Sequence, residues 1–367
     1  MTDWISKAVR HATPALASAL MAAAMLGGCG APGENSSQGE SPVGVSSRAL
    51  ADEPLSLVAR QSLRERAVEV LLAGATAENA QLRANAIEGL EHVGDRGMSA
   101  VRSGLVDENA GVRSAAAMVA GRRGFEELEP FLRPLLEDPD ARVRASAIFA
   151  LTTLGRDVDR SPLGMFLLES PSPFVRAQAA YVLGELGEKS ARPMLRQAAV
   201  SSLPRAKPSE VRAFQMQVAE ALVRLGEESA ISGVRSALYP SAPDELEFTA
   251  LAAQILGNVQ DEASAGQLIL LTAYRFRGQT MPASVRLAAA GALARLGRTE
   301  GWFIADEYNG DPDPLVRAQA ARVYGWTRGG NNLRKLRAML DDPNPLVGVA
   351  AATAIVEYLE QAAGETP

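Results

Sequence analysis

Asp138-Pro-Asp-Ala-Arg-Val-Arg-Ala-Ser-Ala-Ile-Phe-Ala-Leu-Thr-Thr-Leu-Gly155 spells one helix with its start and its stop. Asp140 stands where a side-chain oxygen accepts the free N–H groups of a first turn. Gly155 stands where a helix ends on a left-handed residue. Between them Ala147 and Leu151 lie one turn apart on an apolar face.

Taking Arg144 as reference, the same spelling recurs at Arg83, Arg113, Arg176, Gln215, Leu246, Arg286, Arg317 and Gly348. Successive spacings are 30, 31, 32, 39, 31, 40, 31 and 31 residues, the self-similarity of a stacked array. Four residues before the reference stand the N-caps Asn79, Asn109, Asp140, Ser172, Asp313 and Asn344. Pro173, Pro314 and Pro345 follow three of them, at a position whose N–H has no helical partner. Eleven residues after the reference come Gly94, Gly124, Gly155, Gly187, Gly226, Gly257 and Gly297, each read as a helix stop. Three after it the residue is always small, from Ala86 through Val218 and Thr249 to Ala351. Neighbouring helices can then approach closely, with Leu90, Leu151, Leu183, Leu222 and Leu293 filling the space between them. A second, more variable amphipathic segment follows each glycine. A two-helix unit of this size cannot bury its own apolar face and must stack on both neighbours.

Together with Ser170-Pro-Ser-Pro-Phe-Val-Arg-Ala-Gln-Ala-Ala-Tyr-Val-Leu-Gly-Glu-Leu-Gly187, the opening string resembles the short HEAT-like repeat first named from phycobilisome lyases, over roughly residues 60 to 365. The resemblance implies an all-α fold, a right-handed α-solenoid of about nine two-helix repeats. It also implies an inter-repeat ladder of Arg83, Arg113, Arg144, Arg176, Arg286 and Arg317 with Asp138 and Asp311. In that ladder Asp138 would meet Arg144 and Asp311 would meet Arg317. Gln215, Leu246 and Gly348 interrupt the series.

Composition agrees: of 367 residues 22% are charged and only 5% aromatic, too few large packing groups for one globular core but enough for an alanine-rich stack. A net charge of -6 gives no overall positive field for nucleic acid, which is not expected as a partner.

The N-terminus carries a second signal. Lys7 and Arg10 precede an apolar run from Ala12 to Leu26, too short to span a bilayer and suited to a signal-peptide core. The run ends in Leu26-Gly-Gly-Cys29, which resembles the lipobox of bacterial lipoproteins, and Cys29 is the chain's single cysteine. That resemblance implies cleavage before Cys29, acylation of its thiol and new amino group, and attachment to a membrane through lipid. Gly30 after the cysteine implies the periplasmic face of the outer membrane. The chain thus divides into a signal peptide over 1–28 and an acylated cysteine with a Gly/Ser/Pro-rich tether over 29–51, about 25 Å in span. N-terminal capping helices follow over 52–76, and the repeat solenoid over 77–365.

Enzymatic chemistry finds little support. After cleavage one histidine remains, His92, and the cysteine would be acylated, so no Cys/His metal cluster or nucleophilic dyad assembles. No cofactor and no metal are expected. Adjacent carboxylates such as Asp244-Glu245 read as turn and helix-start residues. The two long spacings place extra residues near 200–210 and 273–284, after the second helix of their units and so on one edge. Arg205, Lys207, Tyr274, Arg275, Phe276 and Arg277 would make that edge basic and aromatic, the composition of protein interfaces. The expectation is a membrane-tethered scaffold of the bacterial cell envelope that holds a protein partner through this edge and the concave face. The alternative is a lyase-like or other small-molecule enzyme on the same scaffold.

Overall fold

A computed structural model describes residues 55–327, 329 and 331–364. The expected signal peptide, Cys29 and the tether lie outside them. The described chain is a succession of α-helices. In order, α1 is Leu57–Gly74, α2 Ala80–Gly89, α3 Met98–Leu105, α4 Ala110–Arg123, α5 Glu129–Leu132, α6 Ala141–Thr153, α7 Ser161–Leu168, α8 Pro173–Glu185 and α9 Arg192–Ala199. Then come α10 Pro208–Arg224, α11 Ile231–Ser236, α12 Leu246–Asn258, α13 Ala265–Thr272, α14 Ala283–Arg295, α15 Ile304–Tyr308, α16 Pro314–Trp326, α17 Asn332–Met339 and α18 Pro345–Gly364. A small hairpin, β1 Arg275–Phe276 against β2 Gln279–Thr280, lies between α13 and α14.

The even-numbered helices carry the repeat spelling and form an inner layer, each packed on the next; the odd-numbered helices form the outer layer. Side-chain oxygens of Asn79, Asn109, Asp140 and Asp313 accept the first N–H groups of α2, α4, α6 and α16. Gly94, Gly124, Gly155, Gly187, Gly226 and Gly297 take up the left-handed conformation after their helices.

Gly257 does not. It lies inside α12, and the left-handed residue is Gln260, with φ of 53°. The sixth unit is therefore read three residues too early from sequence: its reference position is Thr249, not Leu246. With that correction the small position three residues on is Ala86, Ala116, Ala147, Ala179, Val218, Ala252, Ala289, Ala320 and Ala351, and all nine are fully buried. The corrected register also explains Gly257. Eight residues after the reference, Gly121, Gly184, Gly257 and Gly325 lie against Ala150, Ala221, Ala292 and Ala354 of the next inner helix. A methyl group on any of the four glycines would stand 2.7 to 3.0 Å from the facing alanine's Cα. These notches bring α4 to α6, α8 to α10, α12 to α14 and α16 to α18 into their closest packing. Gly257 is thus a packing residue that sits where a stop was expected.

The stack closes on itself. Inner helix α18 ends the described chain and has no outer helix after it, and α1 occupies that place, packing on both α18 and α2. Leu63, Ala67, Val68 and Leu71 of α1 are buried in one cluster with Leu90 of the first unit and Val347, Ala351 and Ile355 of the last. Burying three large side chains of that face contributes roughly 5–9 kcal/mol before ordering costs. The segment expected as a cap on an open end is therefore the piece that joins the two ends. Nine inner and nine outer helices, among the described residues, make a closed α-solenoid ring.

The ladder runs between units rather than within them. Arg113 pairs through Nε with Asp138 Oδ2 at 2.7 Å, Arg83 with Asp107 at 2.8 Å and Arg317 with Asp342 at 2.8 Å, each Arg reaching the Asp that opens the following unit. The same Asp accepts an N–H of its own loop, as Asp138 does from Asp140. Each Arg also donates to carbonyls of its own loop: Arg144 reaches Asp138 O at 2.5 Å and Arg317 reaches Asp311 O at 2.7 Å. The expected partnerships of Asp138 with Arg144 and Asp311 with Arg317 thus form hydrogen bonds only through the backbone: the Asp138 carboxylate serves Arg113, 25 residues earlier, and the Asp311 carboxylate accepts the N–H of Asp313. Arg144 instead lies over the Phe166 ring, Arg176 donates to Ser201 Oγ, and Arg286 pairs with Glu307 and Tyr308.

Arg113→Ala would leave Asp138, 5% exposed, as a buried unpaired charge, so a loss of about 3 kcal/mol in chemical denaturation is expected. Arg196→Ala, which breaks the solvent-facing pair with Glu227, is expected to cost under about 1 kcal/mol. Equal losses would refute a structural role for the ladder.

Candidate functional site

Ring closure turns the concave face into a bore. Its polar lining comes from the inner helices at two, five and nine residues after the reference position, one helical face in three levels. It encloses a cavity of about 450 Å³. Units seven to nine supply an apolar wall that includes Leu287, Leu315, Ala318, Leu346 and Val349. The remaining wall is polar, with Asn85, Glu88, Gln217 and Gln254 among its residues.

At the last turns of the inner helices the bore is bridged by a nearly continuous circuit of polar contacts. Arg122 donates to Glu91 at 3.1 Å, to Glu185 at 3.2 Å and to the Tyr181 hydroxyl, passing in front of α6 to reach α8. Glu185 also accepts from Arg224 at 2.6 Å, and Arg224 donates to Glu220 at 2.9 Å. Glu220 accepts from Asn258 at 3.1 Å, and Asn258 accepts from Arg295. Arg295 lies 4.1 Å over the Trp326 ring, whose Nε1 donates to Glu357 at 3.2 Å. One turn on, Glu360 meets His92 Nδ1 at 2.7 Å and returns the circuit to the first unit. Helix C-termini favour cations, which suits Arg122, Arg224 and Arg295. Burial alone would lower the pKa of Arg122; Tyr181, Glu91 and Glu185 together outweigh it and raise that pKa. The Tyr181 hydroxyl is raised by its burial.

Two charged residues of the bore stand outside the circuit. The side chains of Glu88 on α2 and Arg322 on α16 make no hydrogen bond or ion pair among the described residues, though each feels the other's charge. Burial pushes the Glu88 carboxyl up to about 7, against the lowering pull of Arg322 and Arg122 and with a smaller push from Glu91. One turn before Arg322, the buried Gln319 Oε1 has no partner.

The loop edge is the second region. Val200, Tyr239 and Tyr274 are 85%, 49% and 60% exposed in three successive loops between outer and inner helices. Arg205, Lys207, Arg275 and Arg277 are exposed on the same edge. Phe276 is not available there. It is buried beneath the hairpin, whose turn puts Arg277 and Gly278 at positive φ, and it packs into the core of units five to seven. Arg277 lies over both Phe276 and Tyr239, tying two loops together. No group of three or more His, Cys, Asp or Glu suited to a metal occurs among the described residues, and no described helix is long and apolar enough to cross a membrane.

Sequence reading missed the bore. Arg122, Glu185, Arg224, Arg295 and Glu357 all fall nine residues after their reference positions, a period visible in the sequence; their convergence depends on ring closure.

A raised folded-state carboxyl pKa means that the folded chain holds its proton more tightly than the unfolded chain. Glu88 therefore costs nothing below the usual value of 4.5 and lowers stability as pH rises through 7. Glu88→Gln should then melt above the parent at pH 8, by roughly 1–3 kcal/mol, and match it near pH 4. A gap independent of pH would contradict the assignment.

A family model described as HEAT repeats matches residues 68–152, 98–167 and 161–253. No curated protein matches the chain. Among solved structures, the complex of CpcE and CpcF of phycocyanin lyase from Nostoc sp. PCC7120 is similar at 17% identity and a TM-score of 0.41, over 76% of this chain and 100% of that one. Human deoxyhypusine hydroxylase in complex with glycerol is similar at 20% identity and a TM-score of 0.35, over 72% of this chain and 97% of that one. A mutant of Kap121p is similar at 12% identity and a TM-score of 0.31, over 82% and 43%. With its repeat spelling, its paired helices and a family match running from residue 68 to 253, this chain belongs to the HEAT repeat proteins.

Proposed function

We propose that this protein is a non-catalytic interaction scaffold of the bacterial cell envelope, lipid-anchored through Cys29 on the periplasmic face of the outer membrane, with a protein partner held on the loop edge of units four to seven. The observation that carries this reading is the run of Val200, Tyr239 and Tyr274 in three successive loops, all well exposed. Arg205, Lys207, Arg275 and Arg277 surround them in a chain of net charge -6. Apolar anchors ringed by cations suit an acidic protein surface with apolar residues of its own. The HEAT fold is compatible with such a role. The bore is too small to admit a folded partner, so an edge is the better candidate for macromolecular contact than a concave face.

A photoreactive amino acid in place of Tyr239 or Tyr274 is expected to crosslink one protein of the native envelope, and reversal of the four charges to abolish that product. Equal crosslinking from Phe131, on an outer helix, or survival of the product after charge reversal would refute the edge. Cys29→Ser is expected to move the protein from the membrane fraction to the soluble one; continued recovery in the detergent-extracted membrane pool would refute the anchor.

A further inference from the structure

Counting charges around the bore separates those that serve the protein from those that do not. Glu91, Glu185, Glu220 and Glu357 accept bonds from Arg122, Arg224, Asn258 and Trp326, and Arg295 is taken up by Asn258 and the Trp326 ring. What remains is one carboxyl, Glu88, one guanidinium, Arg322, and one buried acceptor, Gln319 Oε1, all lining the same cavity and none bonded among the described residues. Gln319 Oε1 is buried, whereas Glu88 and Arg322 are half-buried; polar groups left without partners in a cavity mark where a ligand would satisfy them. Leu287, Leu315, Leu346 and Val349 line the same cavity and offer no hydrogen bonds.

The geometry points to a binding site in the bore for a small zwitterion with an apolar substituent, an apolar α-amino acid or the di- or tripeptide bearing the same groups. Its carboxylate would take the fork of Arg322, which suits a planar bidentate acceptor. Its ammonium would donate to Glu88 and to Gln319 Oε1, and its side chain would lie on the wall of units seven to nine. A ligand with only one of the two charges would leave the other group unpaired. A cavity of about 450 Å³ lies within the range of small-molecule sites and excludes a folded domain. This site is separate from the loop edge, and its ligand is independent of any partner held there.

Titration calorimetry of the full chain against L-leucine, L-phenylalanine, leucyl-leucine and N-acetyl-leucine amide tests this directly. Saturable binding is expected for at least one zwitterion. Binding of the amino acids alone assigns the first source, of the dipeptide alone the second, and of both a site indifferent to length. N-acetyl-leucine amide, which has neither charge, is expected to bind at least about tenfold more weakly, a difference of about 1.4 kcal/mol. Arg322→Gln and Glu88→Gln, checked for unchanged helical content, are each expected to weaken binding by about tenfold or more. No saturable heat with any of the three zwitterions would overturn the assignment, and so would equal affinity for the uncharged analogue. The analogue arm uses the unaltered protein, so it stands even where a variant folds poorly.

Discussion

Inner helix α18 needs an outer helix against it, and the chain supplies one from its other end: α1 lies between α18 and α2 and buries Leu63, Ala67, Val68 and Leu71 there. Everything distinctive about the molecule depends on this contact. A linear solenoid leaves an apolar face exposed at each end, which terminal repeats must cover with polar residues. Here each terminal face becomes the other's partner, and nearest-neighbour stacking holds in every unit including the first and last.

Closure also decides what the inner surface can do. In an open array the concave face is a broad groove suited to a long partner. Closed, it becomes a bore of about 450 Å³, where charges of units that are not neighbours meet. Arg122 illustrates the change. It sits on α4 yet bonds to Glu185 and Tyr181 on α8, past α6, a reach across the ring that a straight stack would not offer. The interior thereby suits something small, while the loop edge, with Val200, Tyr239 and Tyr274 exposed, remains open to something large.

Much of this is legible in the sequence. N-caps, the small residue three after the reference and the glycine stops give the helices, their order and their stacking, because each is a local requirement of a helix end or a close helix pair. The sixth unit misled because Gly257 satisfies a different local requirement, close approach to Ala292, while Gln260 takes the left-handed turn at some conformational cost. The ladder partners were misassigned because Asp138 contacts Arg144 through its carbonyl and Arg113 through its carboxylate, and spacing alone does not separate the two. Phe276 read as exposed because alternation in a short segment does not reveal a hairpin folding back over it. The bore was illegible for a different reason. Helix periodicity places Glu88, Arg122 and Arg322 on inner faces, but only the meeting of α1 with α18 brings them into one cavity.

Closure is tested most directly by joining the two ends covalently. A side chain placed at Gly348 would come within 4.0 Å of Val70 Cγ1, although 278 residues separate the two positions in sequence. In a Cys29→Ser background, Val70→Cys with Gly348→Cys should form an intramolecular link, by mild oxidation or with a short bis-maleimide, seen as a monomer of altered mobility on a denaturing gel. Free thiols throughout, or links formed only between molecules, would mean that α1 and α18 do not meet and that the ring is open.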